Sequence, residues 1–406
     1  MMRLPLIAVV LLGAAGPALA QTSESPALAQ TTQTPALAPT PQSPESAQNS
    51  QSLAVPQTSQ SLILPQTSQS PIFTQAPQRL ALADQTSQDT VTAPQVYPRV
   101  TFGVVTFLQF AAELHEQEGY NAFDVTRGYF NVRAQLNDRI SVRFTPDVRP
   151  TTDASLDRNL ALRLEYASLD VQATDTVKFM FGLHETPWLT FEESLNRYRV
   201  LGPLFAERLE LIPGATDLGA SIKWSGEHTE AHLGVYNGEG YGRAEVDKYK
   251  SIDGRATFRP FSEDSELGKV SISGFYQYGW YARDRPRNVA IVMGSYENTN
   301  FVGTAQYLSA TDNPFVAVDV KRRGLSFFGE GRQGETGWAG VGGLDIFVPD
   351  VDNEGDQRRR ITFGGAHWSE LGRGRLGVVI SLQQEYRSAG SQLLERRLLA
   401  QTHIEF

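Results

Sequence analysis

The stretch "RRLLAQTHIEF", Arg396–Phe406, alternates strictly: Leu398, Ala400, Thr402, Ile404 and Phe406 fall on one face, and Arg397, Leu399, Gln401, His403 and Glu405 on the other. Alternation with period two is the mark of a β-strand whose two faces meet different surroundings. Strand ends that meet only water fray, so an apolar strand that runs to a terminal phenylalanine must be held by a neighbour. The fold therefore has to supply a partner for its last strand.

The opposite end of the chain narrows the choice. "MMRLPLIAVVLLGAAGPALA", Met1–Ala20, has a charge at Arg3, an apolar run from Leu4 to Ala14, and small residues at Ala18 and Ala20. It reads as a secretory signal peptide, residues 1–20, cut after Ala20. Gly13, Gly16 and Pro17 interrupt the run short of the ~20 residues a spanning helix needs. No cysteine follows, which excludes both a disulfide framework and a lipid-modified cysteine. Residues 21–96 are dominated by Gln, Thr, Ser, Pro and Ala, with "PQTSQS" at both Pro56–Ser61 and Pro65–Ser70. Such a segment has no periodic apolar face, so it is expected to be a disordered periplasmic spacer. Binding peptidoglycan or plugging a pore are the alternatives.

From Tyr97 the texture changes to short alternating runs rich in glycine and aromatics. No apolar stretch is long enough for a transmembrane helix. Sixteen runs can be placed from Val100–Ala112 to Arg396–Phe406, among them Gly128–Leu136, Arg139–Thr145 and Ser251–Phe261. Lipid admits only helices or sheets without edges. Residues 97–406 therefore read as an all-β, sixteen-stranded antiparallel transmembrane barrel, with short turns at one end and longer loops at the other. Phe130, Val132, Ala134 and Leu136 are assigned to lipid, and Arg127, Tyr129, Asn131, Arg133 and Gln135 to the lumen. Tyr276, Tyr278, Trp280, Tyr281, Trp338 and Trp368 suit interface girdles. The last strand pairs with the first, and Phe406 is the terminal aromatic that barrel-assembly machinery is expected to read.

One connection has its own character: "HETPWLTFEESLNRYRVLGPLFAERLELIPG", His184–Gly214. Some thirty residues in one connection suit a functional loop. Pro187, Trp188, Leu189, Phe191, Leu204 and Phe205 argue against full exposure. The loop is expected to fold inward as a constriction carrying Glu192, Glu193, Arg197, Arg199, Glu207 and Arg208. A long surface loop with solvated charges is the alternative.

Here the chain resembles porins related to the phosphate-selective porin O and P family. The resemblance rests on Phe181–Arg208, on "TDLGASI", Thr216–Ile222, and on "NGEGYGRAEVDKYK", Asn237–Lys250, and extends loosely over Tyr97–Phe406. It implies a sixteen-strand, trimeric barrel that passes small hydrophilic solutes by diffusion through the outer membrane of a Gram-negative-type bacterium. Phosphate-selective members bind anions with lumen arginines and clustered lysines. The lysines here are Lys178, Lys223, Lys248, Lys250, Lys269 and Lys321 alone, so phosphate specificity is not carried over.

Arginine is better supplied. Arg127, Arg133, Arg139, Arg143, Arg163, Arg255 and Arg259 all fall on the polar phase of their runs. Guanidinium groups stay charged and offer several donors, so the first five would form an anion-attracting wall. Pairing with acids such as Glu165 is the competing reading.

The six histidines form no Ser/His or H-E-x-x-H arrangement, and no phosphate-binding or dinucleotide loop is present, so no enzyme is expected. "DVDNEGD", Asp350–Asp356, departs from the calcium-loop pattern at Glu354 and Ile361 and reads as an acidic surface loop. No cofactor or resident metal is expected. The net charge of −9 and pI near 5.3 do not suggest nucleic-acid binding. Expected partners are outer-membrane lipid and lipopolysaccharide, the barrel-assembly machinery, two further copies in a homotrimer, and peptidoglycan through 21–96. A barrel that anchors 21–96 as a cell-wall tether, or an outer-membrane enzyme, are the rival functions.

Overall fold

Each of the sixteen alternating runs becomes a strand. The computed structural model describes residues 96–406 apart from 116–118, 152–159, 244, 246–247, 263–264, 266–267, 283–284, 314–317 and 388–391. The expected leader, 1–20, and all but the last residue of the expected spacer, 21–96, lie outside the described residues.

The strands are β1 Arg99–Glu113, β2 Asn121–Gln135, β3 Ile140–Pro150, β4 Leu160–Gln172, β5 Val177–Glu185, β6 Thr216–Ser225, β7 Thr229–Tyr236 and β8 Ser251–Phe258. They continue as β9 Lys269–Ala282, β10 Arg285–Glu297, β11 Phe301–Asp312, β12 Val320–Arg332, β13 Gly337–Val348, β14 Arg358–Leu371, β15 Gly374–Arg387 and β16 Gln392–Glu405. Each pairs antiparallel with its sequence neighbours, and β1 pairs with β16, closing the barrel. The last residue is held as its alternation requires. Val104 N–H donates to the Phe406 carbonyl at 2.8 Å, and Phe406 N–H donates back at 3.1 Å. A closed ladder leaves no edge, which is what lipid demands.

The outer surface is apolar where a soluble protein would be polar. Phe123 is 84% exposed, Leu162 74%, Phe102 68% and Phe181 67%. Such a surface belongs in hydrocarbon. Most connections at the end bearing Arg99 and Phe406 are turns of two to four residues, such as 173–176 and 372–373, and the longer loops lie mainly at the other end.

Several boundaries differ from the sequence reading, and three of them have a clear local reason. β2 begins at Asn121 rather than Gly128, because Thr126 is an extra residue opposite Phe107 and Leu108. A bulge of this kind shifts the phase of alternation. Phe123 and Val125 point outward before it and Phe130 after it, so the sequence alternation restarts there. β3 continues past Thr145 to Pro150, because Pro146 falls at a second bulge, where Glu165 is the extra residue on β4. Proline lacks the donor a ladder needs and is tolerated at such a break. β8 stops at Phe258 rather than Phe261, since Arg259 is followed by Pro260.

Candidate functional site

The long β5–β6 connection is pinched at its base, where Thr186 N–H donates to the Ala215 carbonyl at 2.8 Å. Beyond that it carries α1 Leu189–Leu195, a 3₁₀ turn at Arg199–Leu201 and α2 Phe205–Arg208. It folds into the lumen. Trp188, Leu189, Leu204, Phe205, Leu211 and Ile212 pack on the inward side chains of β9–β13, including Phe275, Val289, Ile291, Met293, Leu308 and Phe347. Tyr198 and Val200 pack on Phe107, Val341, Ala366, Trp368 and Val379 of the wall from β13 round to β1.

Polar contacts fix the loop's register. Tyr198 Oη donates to Glu330 at 2.8 Å, and Trp368 Nε1 donates to Tyr198 Oη at 3.2 Å. Gln383 Nε2 donates to the Leu201 carbonyl at 3.0 Å, and the Gln401 amide donates to the Val200 carbonyl. Arg197 pairs with Glu330, and Arg208 with Asp345 at 2.5 Å.

This docking overturns two expectations. The rule that polar residues face the lumen fails where the loop's apolar side docks, because there the inward side chains are buried against the loop while the outward ones face lipid. The continuous apolar run Val289–Met293 in β10 is the sequence sign of such burial. Trp368 is fully buried inside the barrel, 0% exposed, and is no girdle residue, whereas Trp338, Tyr276 and Tyr278 do face outward.

The uncovered side of the loop carries charge. Glu193 lies 2.7 Å from Arg199, Arg199 lies 2.8 Å from Glu207, and Glu207 lies 3.2 Å from Arg127 of β2. This relay joins the loop's free side to the opposite wall. Burial pushes the Glu193 carboxyl up despite Arg199. Burial acts the same way on Glu207, but Arg199 and Arg127 together outweigh it and hold that carboxyl below its usual range. The Glu207 carboxylate also accepts the Leu204 N–H at 3.2 Å at the start of α2. Glu192 does not face the arginine wall. It is buried behind the loop, accepting Trp188 Nε1 at 3.0 Å and Gln306 Nε2 at 2.7 Å. Burial pushes its carboxyl up to about 7, against the hydrogen bonds from Gln306 and Trp188.

The seven sequence-picked arginines separate into three groups. Arg127, Arg133, Arg143 and Arg163 line one wall, β2–β4, from the loop end to the short-turn end, and Arg133 stands directly opposite Arg143. Arg143 donates to Thr145 at 3.1 Å and Asn131 at 3.0 Å, with its guanidinium 3.3 Å above the Tyr166 ring. Among the described residues, neither Arg133 nor Arg143 has a carboxylate within ion-pair distance. Arg163 neighbours Asp147 across the strands, again without an ion pair. Arg149 of the same wall, beside Asp147 on β3, was not picked out from the sequence because it lies beyond the expected end of that run.

Arg139 leaves the wall. It sits in the β2–β3 turn, where its N–H donates to Asn137 at 2.9 Å. Arg255 and Arg259 form the third group and belong to Glu230. Arg255 is 4% exposed, donates to the Pro187 carbonyl at 2.7 Å and pairs with Glu230. Arg259 lies just past β8, 3.3 Å from the same carboxylate. Arg127, Arg255 and Arg259 are thus paired with carboxylates, whereas Arg133, Arg143 and Arg163 form no ion pair among the described residues.

Two features escaped sequence reasoning. The β7–β8 connection also turns inward. Gly238 and Gly240 adopt φ of +109° and +76°, which L side chains rarely do. They aim Tyr241 at β3, where its hydroxyl donates to Asp147 at 2.9 Å, while its ring lies against Gly214 at the base of the long loop. Separately, Ser221 Oγ lies 2.8 Å from His184 Nε2 and 3.0 Å from His232 Nε2. All three side chains are buried, and His184 Nδ1 meets the Gly182 carbonyl rather than a carboxylate. Asp356 of the acidic loop pairs with Arg387 at 2.5 Å. Among the described residues no group of three His, Cys, Asp or Glu is placed to hold a metal ion.

A closed sixteen-strand antiparallel barrel with a lumen narrowed by its β5–β6 loop is the fold of outer-membrane channel proteins. The chain is similar to the outer membrane channel DcaP of Acinetobacter baumannii at 11% identity, over 76% of this chain and 97% of that one, with a TM-score of 0.52. It is also similar to OmpT, an outer membrane protein of Vibrio cholerae, at 9% identity over 79% and 100% of the two chains, TM-score 0.53. Salmonella typhi OmpF, in a complex with daunomycin, matches at 10% identity over 77% and 99%, TM-score 0.52. No protein-family model and no curated protein sequence matches the chain.

Proposed function

We propose that the protein is a porin: a passive diffusion channel for small hydrophilic solutes, set in the outer membrane of a Gram-negative-type bacterium, with a modest preference for anions. The observation that carries this reading is the asymmetry of the lumen. The docked loop fills one half with apolar packing and internally paired charge, and faces a wall on which Arg133, Arg143 and Arg163 lack carboxylate partners among the described residues. Unmatched guanidinium charge beside a narrowed aqueous path raises the local anion concentration. Kinship with the phosphate-selective porins is supported at the level of this arginine wall only, and phosphate specificity is not part of the reading. A homotrimer in contact with lipopolysaccharide, assembled through recognition of Phe406, completes it. Residues 21–96 act as a periplasmic spacer that can reach peptidoglycan.

The test is the reversal potential of the purified protein in a planar bilayer across a potassium chloride gradient. The parent should favour chloride, and the double variant Arg133→Ala/Arg143→Ala should lower the chloride-to-potassium ratio by about twofold or more. A cation-preferring parent defeats the anion claim, and a protein that inserts without conducting defeats the channel.

A further inference from the structure

Above the docked loop, at the long-loop end of the lumen, the segment Arg208–Glu210 and the inner faces of β12–β16 enclose a cavity of about 580 Å³. Charges of both signs line it, and most are matched. Arg208 lies 2.5 Å from Asp345, Arg322 lies 2.5 Å from Asp312, and Arg397 pairs with Glu113 at 3.1 Å and with Glu395. Two are not. Arg360 of β14 and Glu385 of β15 stand directly opposite each other in the ladder and both border the cavity, yet they form no ion pair. Arg360 turns its Nη2 to the Gln383 amide oxygen at 2.5 Å, and Glu385 has no hydrogen bond or ion pair among the described residues.

We infer that this cavity is a capture site for small zwitterions of the amino-acid and short-peptide class. The inference rests on the channel reading above and adds the solute class. A separated positive and negative group on one wall is poorly matched by a simple ion. An anion gains Arg360 but is repelled by Glu385, and a cation meets the reverse. A solute carrying a carboxylate and an ammonium satisfies both at once: the carboxylate takes the planar, two-pronged guanidinium and the ammonium takes Glu385. Phe347 and Leu209, which also border the cavity, offer an apolar surface for a small side chain. The site differs in chemistry from the arginine wall, which attracts anions of any shape. It lies on the outer approach to the constriction, where weak capture speeds entry without trapping the solute.

Equilibrium binding of radiolabelled glycylglycine to the full-length detergent-solubilised protein tests the site without relying on conductance. Competition should rank unlabelled glycylglycine at least about tenfold ahead of acetylglycine, which lacks the ammonium, and of glycinamide, which lacks the carboxylate. Equal competition by either single ion overturns the inference. Arg360→Gln and Glu385→Gln, each checked for heat-modifiable mobility, should weaken binding by about tenfold or more. Binding unchanged in both variants also overturns it. Conductance of the same preparation in plain potassium chloride reads the channel separately. A conducting protein that ignores glycylglycine loses the capture site alone, and a binding protein that does not conduct loses the channel alone.

Discussion

Glu230 holds Arg255 and Arg259 and shares Lys223 with Glu185, each 3.7 Å away, so two carboxylates meet three cations. Glu192 shows the opposite arrangement, a carboxyl buried with no ion pair among the described residues. Its two hydrogen bonds come from neutral donors, and burial lifts it to about 7. The sign follows from proton counting. A carboxyl whose folded pKa is raised binds more protons folded than unfolded, so stability falls as pH rises from the usual carboxylate range through about 7. The docked α1 turn should therefore be firmer at pH 6 than at pH 8 by roughly 1 kcal/mol. Hydrogen exchange of the Glu192 and Asn196 amides, which donate to the Trp188 and Glu192 carbonyls, reads this directly once intrinsic rates are corrected. In Glu192→Gln the difference between the two pH values should vanish. A parent protein with equal protection at both pH values would contradict the assignment.

At the scale of elements, the long loop is a plug held by its own hydrophobic side. Trp188 is wholly buried between the loop and Phe275, so Trp188→Ala should loosen docking by about 3–5 kcal/mol and raise single-channel conductance. Tyr241 is the second restraint. Tyr241→Phe removes one hydrogen bond to Asp147, a loss of about 1 kcal/mol, while Tyr241→Ala also removes the ring lying against Gly214. Conductance should therefore rise in the order parent, Tyr241→Phe, Tyr241→Ala, and a flat series would deny the β7–β8 connection any part in narrowing the path.

These two loops mark the limit of what the sequence makes legible. The strands are local objects whose period is written in consecutive residues, so all sixteen could be placed. The inward turn of His184–Gly214 was also readable, from apolar residues that water would not favour. Which wall it covers depends on contacts between residues over a hundred positions apart, such as Tyr198 with Glu330 and Trp368, and alternation says nothing about those. Arg255 and Arg259 looked like pore residues for the same reason, because Glu230 is opposite only once β7 and β8 pair. Bulges hide information in another way. Deleting Thr126 removes the extra residue, so that Val125 opposite Leu108 directly precedes Arg127 opposite Phe107; Phe123 and Val125 stay outward, and the yield of folded barrel should hold near that of the parent.

For the whole molecule, closure and assembly are separate questions, and Phe406 distinguishes them. Its contribution to closure is made by backbone atoms, the reciprocal hydrogen bonds with Val104, which any residue could form. Its ring is 65% exposed and points away from the lumen, where it adds little packing within the barrel. If the ring serves recognition, Phe406→Asp should refold into a heat-modifiable barrel from urea in detergent about as well as the parent, yet accumulate poorly in the outer membrane of living cells. If the ring serves closure, both routes should suffer together. Removing residues 21–96 supplies the control: if they are the spacer proposed above, they contribute to neither route and conductance should be unchanged. Equal cellular yields of parent and Phe406→Asp would remove the recognition role and leave the barrel, whose ladder does not depend on that side chain, intact.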